Sequence, residues 1–276
     1  MNLSPHPEEA ANAAVSKDEA RATVGASWFE TALGRLLTMR IKEEAKWTKE
    51  NKMPLAGKGM LLTSMDIDAA DEADFNRWYD REHLEERVAI DGFLEARRYV
   101  AHSGSPKFLF LYSTRTIEVL DSPAYRARLA NPTPWSIKTM AGFKNMIRAV
   151  ARITISKGVG RGAVLGIVRL RGQGNADELR ATLQTRLDPK ELDGIISMHL
   201  LENDAKLSGP TKELPAAGSA GAGDWFVLID GTNVSAVSSV LAARFTGNAA
   251  PQGAMQISSG IYELMWDLAK SDITSA

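Results

Sequence analysis

The sequence predicts an α+β protein in which one β-α-β-β-α-β unit occurs twice. Three observations predict it. Short apolar strands alternate with amphipathic helices over 59–156, and the same element order returns over 162–268 after about 105 residues. A glycine-rich join, Lys157-Gly158-Val159-Gly160-Arg161-Gly162, separates the two runs.

Composition sets the frame. The chain has 276 residues, 44% hydrophobic and 24% charged, enough apolar surface for one large or two small cores. Its 33 basic and 34 acidic residues give no electrostatic footprint for nucleic acid or an anionic membrane. The absence of cysteine excludes thiol nucleophiles, disulfides, iron–sulfur clusters and Cys-ligated zinc. No run approaches the roughly 18 apolar residues of a membrane span. The first residues, MNLSPHPEEAANAAVSKDEAR, lack the apolar core of a secretory signal, so a soluble, cytoplasmic protein is expected.

The elements follow in order. Residues 1–25 show no apolar period and read as a mobile tail. Within 26–57, an amphipathic helix is expected over 27–50, with Ser27 and Glu30 at capping-box spacing and Leu33, Leu36 and Leu37 on its apolar stripe. That arm would pack on its own domain or on a partner subunit. The first unit, 58–157, has strands at 59–68, 93–101, 107–114 and 149–156. A helix fills 70–89, and the insert 117–147 holds two short helices broken at Asn131-Pro132-Thr133-Pro134. The second unit, 162–276, has strands at 162–172, 195–203, 225–230 and 261–268 and helices at 176–187 and 234–245. A Gly/Ala/Pro-rich excursion, 204–223, stands where the first unit has a short hairpin turn.

Familiar chemical motifs fail on their context. Gly158, Gly160 and Gly162 lead into a strand, whereas a dinucleotide fingerprint must open a helix. Asp66, Asp68, Asp71 and Asp74 lack the central glycine and terminal glutamate of a calcium loop. No P-loop, nucleophile elbow or H-E-x-x-H occurs. Four scattered histidines predict no metal site, and no conventional cofactor is expected.

One segment is chemically dense: FNRWYDREHLEERVAIDGFLEARRY, residues 75–99. On a regular helix Phe75, Trp78, Tyr79, Glu82 and His83 share one face. An aromatic stripe packing on a sheet explains the first residues. A carboxylate and an imidazole at its edge need partners or carry shifted pKa values.

The spacing Phe-x-x-Trp-Tyr-x-x-x-His (Phe75, Trp78, Tyr79, His83), followed by Gly92-Phe93 and Arg97-Arg98-Tyr99, resembles the EthD-like branch of the dimeric α/β-barrel superfamily. The tract AYRARLANPTPW (124–135) is also similar to that branch. The second unit shares element order only, with Thr182, Leu183 and Leu187 at the positions of Trp78, Tyr79 and His83.

The resemblance implies two ferredoxin-like units whose sheets close one barrel within the chain, a pseudo-dimer with helices outside and a ligand cavity inside. On that basis Phe93, Glu95, Arg97 and Tyr99 are expected to face the interior, together with Phe108, Phe110 and Tyr112, while Leu94, Ala96 and Val100 face the helices. The implied function is small-molecule chemistry without a conventional cofactor, of isomerase, cyclase, lyase or decarboxylase type, on a small aromatic, keto or carboxylic compound. His83, Tyr79, Arg97 and Tyr99 would carry catalysis. Trp78, Glu95, Phe110, Tyr112 and His199 would bind substrate. The alternatives are a non-catalytic ligand-binding protein of catabolism and a cofactor-independent monooxygenase. A haem protein comes third, with His199 as its candidate ligand. A small organic ligand is the expected partner, and a homo-oligomer stays open.

Overall fold

The computed structural model describes residues 55–209 and 223–273. The expected tail and helix within 1–50, and most of the 204–223 excursion, lie outside the described residues. In chain order the first half comprises β1 (Gly59–Asp66), α1 (Glu72–Trp78), α2 (Leu84–Val88), β2 (Phe93–Ser103), β3 (Phe108–Thr114), α3 (Pro123–Ala130), α4 (Pro134–Met140) and β4 (Lys144–Gly158). A π-helical turn, Tyr79–His83, joins α1 to α2. The second half comprises β5 (Val164–Gly172), α5 (Ala176–Arg186), β6 (Ile195–Asn203), α6 (Ala205–Ser208), β7 (Asp224–Gly231), α7 (Val234–Phe245) and β8 (Ala254–Ala269).

Local chemistry explains the boundaries. Ser122 and Thr133 each precede a proline at the first helical position, and their hydroxyls accept from Tyr125 N–H and Ser136 N–H to open α3 and α4. Asn175 and Asn233 cap α5 and α7 in the same way. β4 and β8 begin earlier than the alternation indicates, at Lys144 and Ala254. Their leading segments, KNMIR and AMQISSG, carry too few apolar side chains to announce a strand.

The eight strands form one closed, wholly antiparallel barrel in the order β1-β3-β2-β8-β5-β7-β6-β4. Each half contributes four neighbouring strands in the ferredoxin-like arrangement. The halves join at two seams, β2 with β8 (Arg97 opposite Asp267) and β4 with β6 (Ile153 opposite Leu201). The intrachain pseudo-dimer expected from the sequence is therefore the observed fold.

Three apolar layers hold it. The barrel interior is packed by Met60, Leu62, Leu109, Leu111, Leu228 and Phe226 with their neighbours. In the first half, α1 and α2 bury Phe75, Trp78 and Leu84 against the outer face of the sheet. In the second, Leu183, Leu187, Val237 and Phe245 cover the other outer face. At about 25 cal/mol per Å² of apolar surface, fully burying each such side chain contributes roughly 1.5–3 kcal/mol before chain entropy is counted.

Two orientation expectations are corrected. Phe108, Phe110 and Tyr112 face the helices instead of the interior, because β3 reads FLFLYST, is buried on both faces, and so carries no alternation to set its phase. Phe93 also faces the helices. A bulge between Phe93 and Glu95 puts it out of phase with Glu95, Arg97 and Tyr99, which do point inward. Ala96 and Val100 lie on the helix side as expected.

Candidate functional site

The sheet divides the sequence-predicted site residues into two groups. Tyr79, His83, Phe110, Tyr112 and Trp78 lie between sheet and helices of the first half, whereas Glu95, Arg97, Tyr99 and His199 lie inside the barrel. A single constellation of His83, Arg97, Tyr99 and Tyr112 does not form.

The barrel group is a charge-paired polar network, in which Arg97 Nε and Nη2 and Asp230 Oδ2 keep no hydrogen-bond partner among the described residues. Arg97 Nη1 donates to the Tyr99 hydroxyl at 3.0 Å and lies 3.4 Å from Asp230 Oδ1. His199 Nδ1 bonds the Ser156 hydroxyl at 2.9 Å and Nε2 the Ser197 hydroxyl at 3.0 Å, with Asp230 Oδ2 3.4 Å from Nε2. Glu95 takes its partner from Arg161 (2.6 Å) and from the Ser113 hydroxyl (3.2 Å). Burial lowers the His199 pKa, and Asp230 only partly restores it, so the imidazole is neutral. Burial opposes ionisation of Asp230, but His199 and Arg97 outweigh it and keep the carboxylate charged. Arg97 and Asp230 thus balance each other. With both ring nitrogens engaged and no exposed surface, His199 does not fit a haem ligand, which corrects that expectation. No cluster of three or more His, Asp or Glu suited to a metal occurs among the described residues.

The helix-side group borders space. A cavity of about 50 Å³ lies between the sheet and the π turn, α2, α3 and α4, large enough for a molecule of a few heavy atoms. Leu61, Thr63, Met65, Tyr112 and Arg148 form its sheet wall. Tyr79, His83 and Arg87 come from the first helical segment, and Tyr125, Leu129, Met140 and Phe143 close it.

The π turn arranges this wall. Its wider hydrogen bonding, with Leu84 N–H donating to Tyr79 O, leaves both Tyr79 and His83 buried on the sheet side. The His83 ring sits 4.1 Å from Trp78 and 5.1 Å from Tyr79, and Tyr79 stacks on Phe110 at 3.9 Å. Trp78 and Phe110 do not line the cavity. Trp78 Nε1 donates to Glu82 Oε1 (3.0 Å) and lies 3.2 Å from the Ser136 hydroxyl, so Trp78 braces the His83 ring from behind. Thr133 also donates to Glu82, fixing the start of α4 over the site.

Three polar atoms of residues on this wall are buried without a hydrogen-bond partner at ordinary distance among the described residues: His83 Nδ1, Arg87 Nη1 and the Tyr112 hydroxyl, whose neighbour is the Tyr79 hydroxyl. Native interiors rarely leave such groups unpaired. Desolvation holds the His83 pKa well below its ordinary value, with the Arg87 and Arg128 charges adding to the effect, so His83 is a neutral base at pH 7. Burial raises the Tyr112 pKa, so the phenol keeps its proton and can donate it in a hydrogen bond. Arg87 was missed at sequence level because EERV reads as a solvated face. Its position four residues after His83 was the available signal.

Similarity to known proteins is confined to the fold. No family model and no curated protein matches the sequence. An anthrone oxidase-like protein of known structure superposes with a TM-score of 0.54 at 12% identity, over 81% of this chain and 98% of that one. A proposed monooxygenase from Lactobacillus acidophilus NCFM gives 0.46 at 10% identity, over 78% and 97%. A heme-binding protein from Thermus thermophilus gives 0.46 at 10%, over 78% and 93%. The chain has the fold of the dimeric α/β barrels, carried here by one polypeptide.

Proposed function

We propose that this chain is a small-molecule enzyme that moves a proton at a carbon activated by a carbonyl or phenol, and that the chemistry lies in the first-half cavity. The observation that carries the proposal is the placement of three unpartnered buried polar atoms, on His83, Tyr112 and Arg87, around one cavity. In the tautomer protonated on Nε2, His83 Nδ1 offers its lone pair to a substrate C–H. That bond's electrons form the C=C of an enolate, the carbonyl electron pair moves to oxygen, and the proton passes to Nδ1. The Tyr112 hydroxyl donates to the enolate oxygen, and Tyr79 holds the substrate plane. Return of the proton to another carbon isomerises the substrate, and loss of a leaving group makes the enzyme a lyase. Addition of dioxygen to the carbanion gives cofactor-independent oxygenation, a branch favoured by the fold shared with the anthrone oxidase-like protein.

The Phe75–His83 tract supports placing 58–157 in the EthD-like branch, with 162–276 as structural partner. The barrel residues Arg97, Tyr99, Glu95 and His199 are then framework. No described helix is long and apolar enough to cross a membrane. The test is exchange of α-protons for deuterium in D₂O across a panel of small ketones, keto acids and phenols, with dioxygen uptake followed in parallel. Wild-type protein should exchange at least one class, and His83→Ala should slow it about 100- to 10,000-fold. Equal rates with and without His83 would overturn the assignment.

A further inference from the structure

The charges around this cavity specify what enters it. Arg87 and Arg148 both line it, and both are almost fully buried, at 8% and 3% exposure. Neither forms an ion pair with a described residue. Arg148 Nη1 donates to a neutral acceptor, the Leu207 carbonyl of α6, at 2.7 Å, and Arg87 Nη1 donates to nothing described. No aspartate or glutamate lines the cavity, and its histidine is neutral.

The contrast inside the same chain is direct. Every other arginine buried to this degree among the described residues has a carboxylate beside it. Arg97 lies against Asp230, and Arg98, on the helix side of β2, against Asp80 at 2.5 Å. A guanidinium taken out of water without a counterion is unfavourable unless a further anion meets it. A guanidinium is also the side chain whose planar fork matches a carboxylate.

We infer that the substrate of the proposed reaction is a small carboxylate, its anionic end held by Arg87 with Arg148 behind it, and its reacting carbon delivered to His83. The role that alternation on β2 suggests for Arg97 belongs instead to Arg87. This inference rests on the proton-transfer reading for the reaction and on the two arginines for the anion. The sheet pairing supports the geometry, since Thr63 lies opposite Arg148 on one side and Phe110 on the other, next to Tyr112. Arg148 on β4 and Tyr112 on β3 thus share the outer face of one sheet, with Thr63 and Leu61 of β1 between them.

The test compares pyruvate with butanone, in which an ethyl group replaces the carboxylate. Binding is measured by calorimetry or ligand-observed NMR, and methyl deuterium exchange by proton NMR, for the full chain and for Arg87→Met, Arg87→Lys and His83→Ala. Wild-type protein should bind pyruvate about 10- to 100-fold more tightly than butanone, the range of a charged hydrogen-bonded contact. Arg87→Met should lose that preference and Arg87→Lys should keep part of it. His83→Ala should bind pyruvate as wild type does without exchanging its protons. Arg87→Met should also melt at or above the wild-type temperature, because it removes an unpaired buried charge, and this checks that the variant is folded. Equal binding of the two ketones by wild type, or unchanged pyruvate binding in folded Arg87→Met, would overturn the inference. If butanone is exchanged and pyruvate ignored, the anion site fails and proton transfer stands. If pyruvate binds through Arg87 and neither ketone exchanges, the anion site stands and proton transfer fails.

Discussion

The two halves build the same layer of helices on sheet and fill it differently. In the second half, α5 is a regular helix capped by Asn175, and its Leu179, Leu183 and Leu187 share an apolar cluster with Val237, Leu241 and Phe245 of α7, while Arg186 and Arg244 donate to each other's backbone carbonyls at the helix ends. In the first half the corresponding helix is interrupted by a π turn, and the layer holds His83, Arg87, Tyr79, Tyr112 and Arg148 around a cavity. The fold does not require those polar groups, since its other copy dispenses with them. Burying unpaired polar atoms weakens a layer that leucines fill well. The comparison therefore separates what the architecture needs from what a ligand needs.

The comparison can be broken most sharply at its chemical end. His83→Ala should cost about 100- to 10,000-fold in proton transfer, or roughly 3–5 kcal/mol of barrier, while replacements at Leu187 should leave exchange unchanged in protein that still folds. Stability should show the reverse asymmetry. Leu183→Ala removes a fully buried side chain and should cost about 2–5 kcal/mol in denaturant titration. Tyr112→Phe removes a hydroxyl whose one neighbour is the Tyr79 hydroxyl and should change stability by about 1 kcal/mol or less.

A third measurement is the pH dependence of unfolding. The folded pKa values of His83 and His199 are depressed, chiefly by burial. The unfolded chain therefore takes up protons below about pH 6.5 that the folded chain refuses. Stability should be level above that pH and fall below it, by at most about 1.4 kcal/mol per pH unit per histidine. His83→Gln should reduce the slope without abolishing it, because His199 remains in the barrel. A slope unchanged by that variant would show that His83 carries no depressed pKa. The smallest effect belongs to the brace. Trp78→Phe loses the contacts to Glu82 and Ser136 and should cost about 1 kcal/mol, with a larger effect on turnover than on stability if the ring behind His83 positions it.

The sequence made some of this readable, for identifiable reasons. The inward set Glu95, Arg97 and Tyr99 was legible because β2 alternates polar with apolar residues. The phase of β3 was not, because a strand buried on both faces has no polar residue to mark one side. The barrel order followed from the repeated element pattern. The location of the larger space did not, since the interior leaves only about 20 Å³ beside Leu62 and Phe226, and the cavity at His83 lies on the opposite face of the sheet. His83 stood out by its aromatic neighbours, whereas Arg87 and Arg148 were hidden among ordinary charged residues. Their meaning came from the carboxylates missing beside them, which depends on packing far apart in sequence.

The two seams have a consequence for assembly in time. Arg97 on β2 pairs with Asp267 on β8, 170 residues later in the chain, so the barrel closes only when the last strand arrives. Before the second half is made, the first half carries two bare edges, β2 and β4, each with a row of free backbone N–H and C=O groups; β6 can cover the β4 edge first, and β2 waits for β8. Such edges slow folding, because long loops must close before the contacts that stabilise them form. They also offer a second nascent copy the very surfaces that β8 and β6 will occupy. Synthesis of this chain is thus a race between its own second half and a neighbour's first half. The glycine-rich join favours the intramolecular partner by keeping it tethered at high effective concentration.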